Sequence, residues 1–139
     1  ISTSAERFGS QCIVAAVDAK KENNTWAVYS HGGTKKTGLD AIEWMIKLQK
    51  LGAGEILLTS MDKDGTKSGF DLELLKKATN KLNIPVIASG GVGKLEHFKD
   101  GVTIGGASAL LAASVFHFDE FSISEVKEYL SNNNVKVRR

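Results

Sequence analysis

Four stretches of the chain are dominated by apolar residues, and each gives way to small or polar ones. They cover residues 12–18, 55–60, 85–89 and 109–113, and they end near Asp18, Ser60, Ser89-Gly90-Gly91 and Ala113-Ser114. The first begins Cys12-Ile13-Val14-Ala15-Ala16-Val17, a continuous run rich in β-branched residues. Runs of this kind suit strands buried on both faces, as in a parallel sheet. Pro85 opens the third, a position that a sheet tolerates.

Between these runs the apolar spacing becomes helical. Leu39, Ile42, Met45, Ile46 and Leu48 share a stripe within residues 38–51, and Gly52 is a stop signal. Trp44 lies beside that stripe and reads as helix packing. Leu72, Leu75, Ala78 and Leu82 follow Asp71, a residue suited to capping a helix. Leu95 and Phe98 fall on a short helix after Gly93. Val126, Tyr129 and Leu130 follow Ser122-Ile123-Ser124-Glu125, the pattern of a capping box. Residues 24–34 carry Trp26, Val28 and Tyr29 before His31-Gly32-Gly33 and predict a small hairpin inserted after the first strand.

The predicted order is strand, hairpin, then helix and strand in alternation through four βα units of roughly 30 residues. No linker or low-complexity stretch divides residues 1–139, so one domain is expected. Right-handed crossovers then make the four main strands parallel and adjacent in sequence order. Four βα units are half of an eight-stranded barrel, which typically needs about 250 residues. An open, doubly wound four-stranded sheet is the other architecture that fits.

Composition narrows the function classes. Apolar residues make up 42% and charged residues 24%, and 18 basic against 16 acidic side chains leave a net charge of +2. That balance gives no reason to expect nucleic acid, and the basic end Lys136-Val137-Arg138-Arg139 reads as solvated. No apolar run approaches the roughly 20 residues of a membrane span. Cys12 is the single cysteine, so an internal disulfide is excluded and a reducing cytoplasm is expected. At the start of an apolar strand, Cys12 reads as buried packing. The chain begins at Ile1 with the tail of a helix, so further chain upstream is expected.

The chemistry-bearing residues cluster at the predicted carboxyl ends of the strands, where parallel α/β folds bind ligands. Asp18 ends a wholly apolar strand, a costly place for a charge unless it is paired or at a wet mouth. The bland alternatives are a cap or an ion pair with Lys20 or Lys21; its position favours general acid/base work. Asp62 and Asp64 lie in a D-x-D-G turn, but the later oxygen ligands of a calcium loop are missing. One of the two orders the turn and the other faces ligand, and spacing does not separate them. Ser89-Gly90-Gly91-Val92-Gly93 places backbone N–H groups at a helix start, where an anion is favoured. A tight glycine turn is the plain alternative. Ala112-Ala113-Ser114 on the next strand strengthens the anion reading, because barrels often build a phosphate site from the loops after their last two strands. His31, His97 and His117 share no metal-ligand spacing. Lys35 and Lys36 read as solvated loop charges. No metal and no cofactor are expected.

Those residues resemble a known family. Arg7-Phe8-Gly9-Ser10-Gln11-Cys12, Asp18-Ala19-Lys20, His31-Gly32-Gly33, Thr37-Gly38, residues 52–71, Ile84-Pro85-Val86-Ile87-Ala88-Ser89-Gly90-Gly91-Val92-Gly93 and Leu111-Ala112-Ala113-Ser114-Val115-Phe116-His117-Phe118 are similar to the cyclase subunit of imidazole glycerol phosphate synthase. The sister isomerase of the same pathway shares the D-x-D-G-T and S-G-G elements. Lys67-Ser68-Gly69-Phe70-Asp71 and Ser114-Val115-Phe116-His117-Phe118 resemble the cyclase rather than the isomerase.

The resemblance implies a (β/α)8 TIM barrel, of which this chain supplies a (βα)4 half-barrel, the C-terminal half. It implies lyase chemistry in histidine biosynthesis. A bisphosphorylated aminoimidazole carboxamide ribonucleotide and ammonia become imidazole glycerol phosphate and aminoimidazole carboxamide ribotide. A glutaminase partner supplies the ammonia through the barrel. Asp18 matches one of two acid/base aspartates; the other belongs to the N-terminal half. Ser89, Gly90, Gly91, Ala113 and Ser114 match positions that hold one substrate phosphate. Thr59, Asp64 and Gly65 match the loop around the substrate, and Glu55 matches a charged ring at the ammonia entrance. The isolated chain is then expected to be inactive. Val14, Val17, Ile56, Leu58, Ile87 and Leu111 form an uncovered inner face that invites self-association. A phosphate-binding half-barrel that self-assembles without turnover is the alternative function.

Overall fold

Along Glu55–Ser60, burial alternates strictly. Ile56, Leu58 and Ser60 are buried, whereas Glu55, Leu57 and Thr59 are only half-buried. A strand sends successive side chains to opposite faces, so the sheet has one covered face and one open face. The same alternation runs along residues 14–19 and along Val86–Ser89.

The structure is a computed structural model that describes residues 1–138. Its elements are α1 (Ser2–Phe8), a 3-10 turn (Ser10–Cys12), β1 (Val14–Glu22), β2 (Thr25–Ser30), β3 (Lys35–Asp40), α2 (Ala41–Lys50), β4 (Glu55–Ser60), α3 (Leu72–Lys81), β5 (Val86–Ser89), α4 (Leu95–Thr103), β6 (Ala109–Leu111), α5 (Ser114–His117) and α6 (Ile123–Asn132). The strands make one mixed sheet in the order β3-β2-β1-β4-β5-β6. β1, β4, β5 and β6 are parallel neighbours in sequence order. Each parallel step needs a crossover, which α2, α3 and α4 provide. β2 and β3 extend the β1 edge in antiparallel sense.

The core lies between the sheet and its helices. Val17, Ile56, Leu58, Val86 and Ala88 pack with Met45, Leu48, Leu74, Leu75, Ala78 and Phe98 in one cluster. Helix starts are specified locally: Asp40 accepts from the N–H groups of Ile42 and Glu43, Asp71 accepts from Leu74 N–H, and Ser122 with Glu125 forms a complete capping box. Each satisfies donors that a helix start leaves unpaired.

Four sequence readings need correction. The hairpin predicted at 24–34 is longer, with β2 and β3 reaching Asp40; residues 38–40 are therefore strand, and α2 starts at Ala41. Lys35–Asp40 carries no apolar alternation and is exposed almost throughout, so only its pairing to β2 makes it a strand. Cys12 is exposed in the 3-10 turn ahead of β1. The face assignment also divides differently. Val17, Ile56 and Leu58 are at most 1% exposed beneath the helices, whereas Val14 is 51% and Leu111 41% exposed. The open face is Val14, Ala16 and Asp18 on β1, Glu55, Leu57 and Thr59 on β4, Ile87 and Ser89 on β5, and Ala109 and Leu111 on β6.

A candidate anion pocket at the carboxyl ends of the parallel strands

Sheet register brings the candidate chemistry into a row. Asp18 lies opposite Thr59, Thr59 opposite Ser89, and Ser89 opposite Leu111. All four are on the open face; Thr59, Ser89 and Leu111 are at or next to the carboxyl ends of their strands, whereas Asp18, read from sequence as the end of its strand, is in the middle of β1. It is next to the last residue of β1 that pairs with β4, and β1 runs on to Glu22 as an arm of the hairpin. Neighbouring strands are about 4.8 Å apart, so Asp18 and Ser89 are about 10 Å apart along the row.

Beyond Ser89 the row opens into a pocket of about 170 Å³. Asp64, Gly65, Lys67, Ser89, Gly90, Gly91, Val92, Leu111, Ala112, Ala113 and Ser114 line it. Seven of the residues singled out from sequence therefore meet here: Asp64, Gly65, Ser89, Gly90, Gly91, Ala113 and Ser114. Thr59 is one strand inward from the lining. Asp18 is two strands away, and Glu55 is at the opposite end of β4, in register with Val14. A larger hollow of about 410 Å³ lies among α4, β6 and α6. Its walls are mainly apolar, with Phe98, Leu110, Phe116 and Val126 among them, and none of the row reaches it.

Two loops build the smaller pocket. In the first, the carbonyl of Ser60 accepts from Lys63 N–H at 3.2 Å and Asp64 N–H at 2.9 Å. Met61 N–H donates to Ala19 O at 2.9 Å. The carboxylate of Asp62 accepts from Lys21 N–H at 2.6 Å. Asp62 thus ties the turn to β1, and Asp64 is the one of the two that lines the pocket. In the second loop, Gly69 N–H donates to Gly91 O at 2.7 Å. Gly91 has φ +103°, and a Cβ there would sit 2.2 Å from the carbonyl oxygen of Gly69. Only glycine lets the two loops meet so closely.

The sequence presented the glycine loop as bare N–H groups, but the Gly93 N–H donates to His97 Nδ1 at 3.1 Å. His97 therefore ties the loop to α4. Lys67 was missed as a lining residue because a loop lysine reads as solvated; its place just after Asp64-Gly65-Thr66 was the only available signal.

A second polar group flanks Asp18 on its other side. Tyr29 on β2 is in register with Asp18, and Lys36 on β3 with Tyr29. The Tyr29 hydroxyl donates to Glu22 Oε1 at 3.0 Å, and Lys36 Nζ pairs with Glu22 Oε2. The Lys36 bond, then the Tyr29 bond, holds the Glu22 carboxyl below the usual glutamate range. The same contacts push the Tyr29 phenol and the Lys36 ammonium up. Lys36 is exposed, as its sequence reading expects, but it is an ion-paired residue of strand β3 rather than a loop charge.

Residues 1–122 match the family described as Histidine biosynthesis protein. The chain belongs to this family. Members are TIM-barrel enzymes of histidine biosynthesis, isomerases and cyclases. The match to the histidine biosynthesis family runs from α1 through α5, so it takes in Asp18 and every residue of the pocket. Among the described residues, no helix is long and apolar enough to cross a membrane.

Proposed function

We propose that this chain is the C-terminal half-barrel of the cyclase subunit of imidazole glycerol phosphate synthase. The observation that carries the reading is the row Asp18–Thr59–Ser89 and its continuation into the pocket. A carboxylate for proton transfer stands about 10 Å from the loops that would anchor a phosphate. A phosphate at one end of an open-chain sugar puts its reacting carbons at that kind of distance.

In this reading Ser89, Gly90, Gly91, Ala113 and Ser114 hold one phosphate of the bisphosphorylated ribonucleotide. Asp64 and Gly65 border the same ligand, and Thr59 lines the path between phosphate and Asp18. Asp18 moves protons while ammonia, delivered by a glutaminase partner, is incorporated and the imidazole ring closes. Glu55, at the far end of β4, faces the opposite mouth, where ammonia would enter. The N-terminal half supplies the second phosphate site and the second aspartate. Four parallel βα units, against the eight of a closed barrel, support the half-barrel reading. The motifs Lys67-Ser68-Gly69-Phe70-Asp71 and Ser114-Val115-Phe116-His117-Phe118 favour cyclase over isomerase.

Product analysis of the barrel completed with an N-terminal half tests the assignment. Ammonia-dependent release of aminoimidazole carboxamide ribotide is expected. Rearrangement of a substrate without uptake of ammonia would assign the chain to the isomerases instead.

A second reading has its own support. The open face exposes Val14 and Leu111, and residues 14–17 of β1 pair with β4 alone. Open apolar faces and strand edges favour self-association, so the chain by itself is proposed to assemble as a phosphate-binding half-barrel without efficient turnover.

A further inference from the structure

We infer that Lys67 is the cationic arm of the anion pocket and that Glu120 holds it in reserve, so that a bound phosphate and Glu120 compete for one ammonium group. The inference rests on the reading of this pocket as a phosphate site.

The charge pattern of the lining calls for such an arm. Among the described residues, Asp64 is the one acidic residue and Lys67 the one basic residue that line the pocket. Backbone N–H groups and hydroxyls alone would have to hold a phosphate beside a carboxylate that repels it. Lys67 is the group that offsets Asp64, yet its Nζ pairs with Glu120, 53 residues further along.

Both partners are held at the backbone and differ in reach. Lys67 has φ +55°, an uncommon conformation for a side-chain-bearing residue. The turn around it is tied by Thr66 Oγ1, which lies 2.7 Å from both Lys63 O and Ser68 Oγ. A Cβ on Gly93 would meet the Lys67 carbonyl oxygen at 2.6 Å, so the lysine backbone rests directly on the glycine loop. Glu120 is fixed from the other side: its N–H donates to Val115 O at 2.9 Å, and Val115 is fully buried. The lysine has a flexible four-carbon stem and can swing without moving either loop. The ion pair is partly exposed, 48% at Lys67 and 32% at Glu120. Pairs of this kind hold weakly, whereas a phosphate carries close to two negative charges. Glu120 is thus a positioning residue: it keeps Lys67 over the pocket and away from Asp64 until an anion arrives.

The test is a titration of inorganic phosphate at low ionic strength into the chain and into Lys67→Met, Glu120→Gln, their double variant and Ala113→Asp. Glu120→Gln is expected to tighten phosphate by about two- to fivefold, the scale of an exposed pair. Lys67→Met is expected to weaken it by about tenfold, the scale of a hydrogen bond to a charged group. In the Lys67→Met background, Glu120→Gln is expected to change nothing. Equal tightening with and without Lys67 would mean that Glu120 acts by general repulsion, and it would overturn the inference. So would no tightening at all. Ala113→Asp separates the two levels of the argument. If it binds phosphate as tightly as the unaltered chain, or if the unaltered chain binds none, the pocket reading itself fails. If it abolishes binding while the Lys67–Glu120 coupling is absent, only the present inference fails.

Discussion

The indole nitrogen of Trp26 donates to Asp71 Oδ2 at 3.0 Å, joining β2 to the first turn of α3 across 45 residues. The same carboxylate accepts from Leu74 N–H at 3.1 Å and from Ser60 Oγ at 3.3 Å. Asp71 therefore caps α3, fixes the end of β4 and satisfies the one polar atom of a fully buried tryptophan. Lys21 and Lys77 lie over the indole at 5.0 and 4.7 Å, and both pair with Glu73. The hairpin and the loop after β4 are thereby locked together on the covered side of the sheet. Ser60 and Asp71 flank the loop that carries Asp64, Gly65 and Lys67, lining residues of the candidate pocket.

Asp71→Ala removes a cap, worth about 1 kcal/mol, and strands a buried indole N–H at a further cost of about 1–3 kcal/mol. Urea unfolding is expected to show a loss of roughly 2–4 kcal/mol. In the Trp26→Phe background the loss is expected to be smaller, because the indole donor is gone and only the cap and the Ser60 hydroxyl bond remain to be lost. Equal losses in the two backgrounds would contradict the Trp26–Asp71 linkage.

The parallel sheet was legible because its strands are near-continuous apolar runs and its helices carry their own caps at Asp71 and Ser122. The candidate site was legible as a place, because polar residues collect toward the ends of those runs. What was not legible depends on contacts distant in sequence. Uniform apolar runs do not say which side faces the helices, so Val17, Ile56 and Leu58 were placed on the wrong face. β3 exists through pairing such as Tyr29 with Lys36, which a polar hexapeptide does not advertise. The division of labour between Asp62 and Asp64 is made by Lys21 N–H, 41 residues from Asp62. His97 and Lys67 acquire their roles only once the loops that hold Gly93 and Glu120 are folded against them.

Asp40 links stability to pH. Burial alone raises its carboxyl, but the bonds from Thr25 Oγ1, Glu43 N–H and Ile42 N–H outweigh this and hold it below the usual aspartate value. A group with a depressed folded-state pKa contributes stability above its unfolded value, about 3.9, and loses it as pH falls through the folded value. Asp40→Ala is therefore expected to cost about 1 kcal/mol at pH 7, with the penalty shrinking as the solution is acidified below about pH 4. Urea midpoints of both proteins at neutral and acidic pH check this. A penalty independent of pH would show that the carboxylate charge plays no part.

The open face has a consequence for the isolated chain. Leaving a large aliphatic side chain exposed forfeits roughly 1.5–3 kcal/mol, and Val14 and Leu111 are both exposed on that face. Sedimentation of the purified chain is expected to show a dimer or larger species. Leu57→Lys, which places a charge at the centre of the same face, is expected to shift it toward monomer. A monomer at all concentrations would remove self-association from the account.

The most direct test concerns Asp18, in register with Thr59 and two strands from the loops proposed to hold phosphate. Asp18→Asn keeps the shape and removes the proton-transfer capacity. In the barrel completed with an N-terminal half, ammonia-dependent turnover is the quantity to measure. A loss on the order of 10²–10⁴ in kcat is expected, with KM for the bisphosphorylated substrate little changed because the loops proposed to hold its phosphate are untouched. Turnover near that of the unaltered enzyme would contradict the assignment of Asp18, and with it the reading of this sheet face as half of a cyclase site.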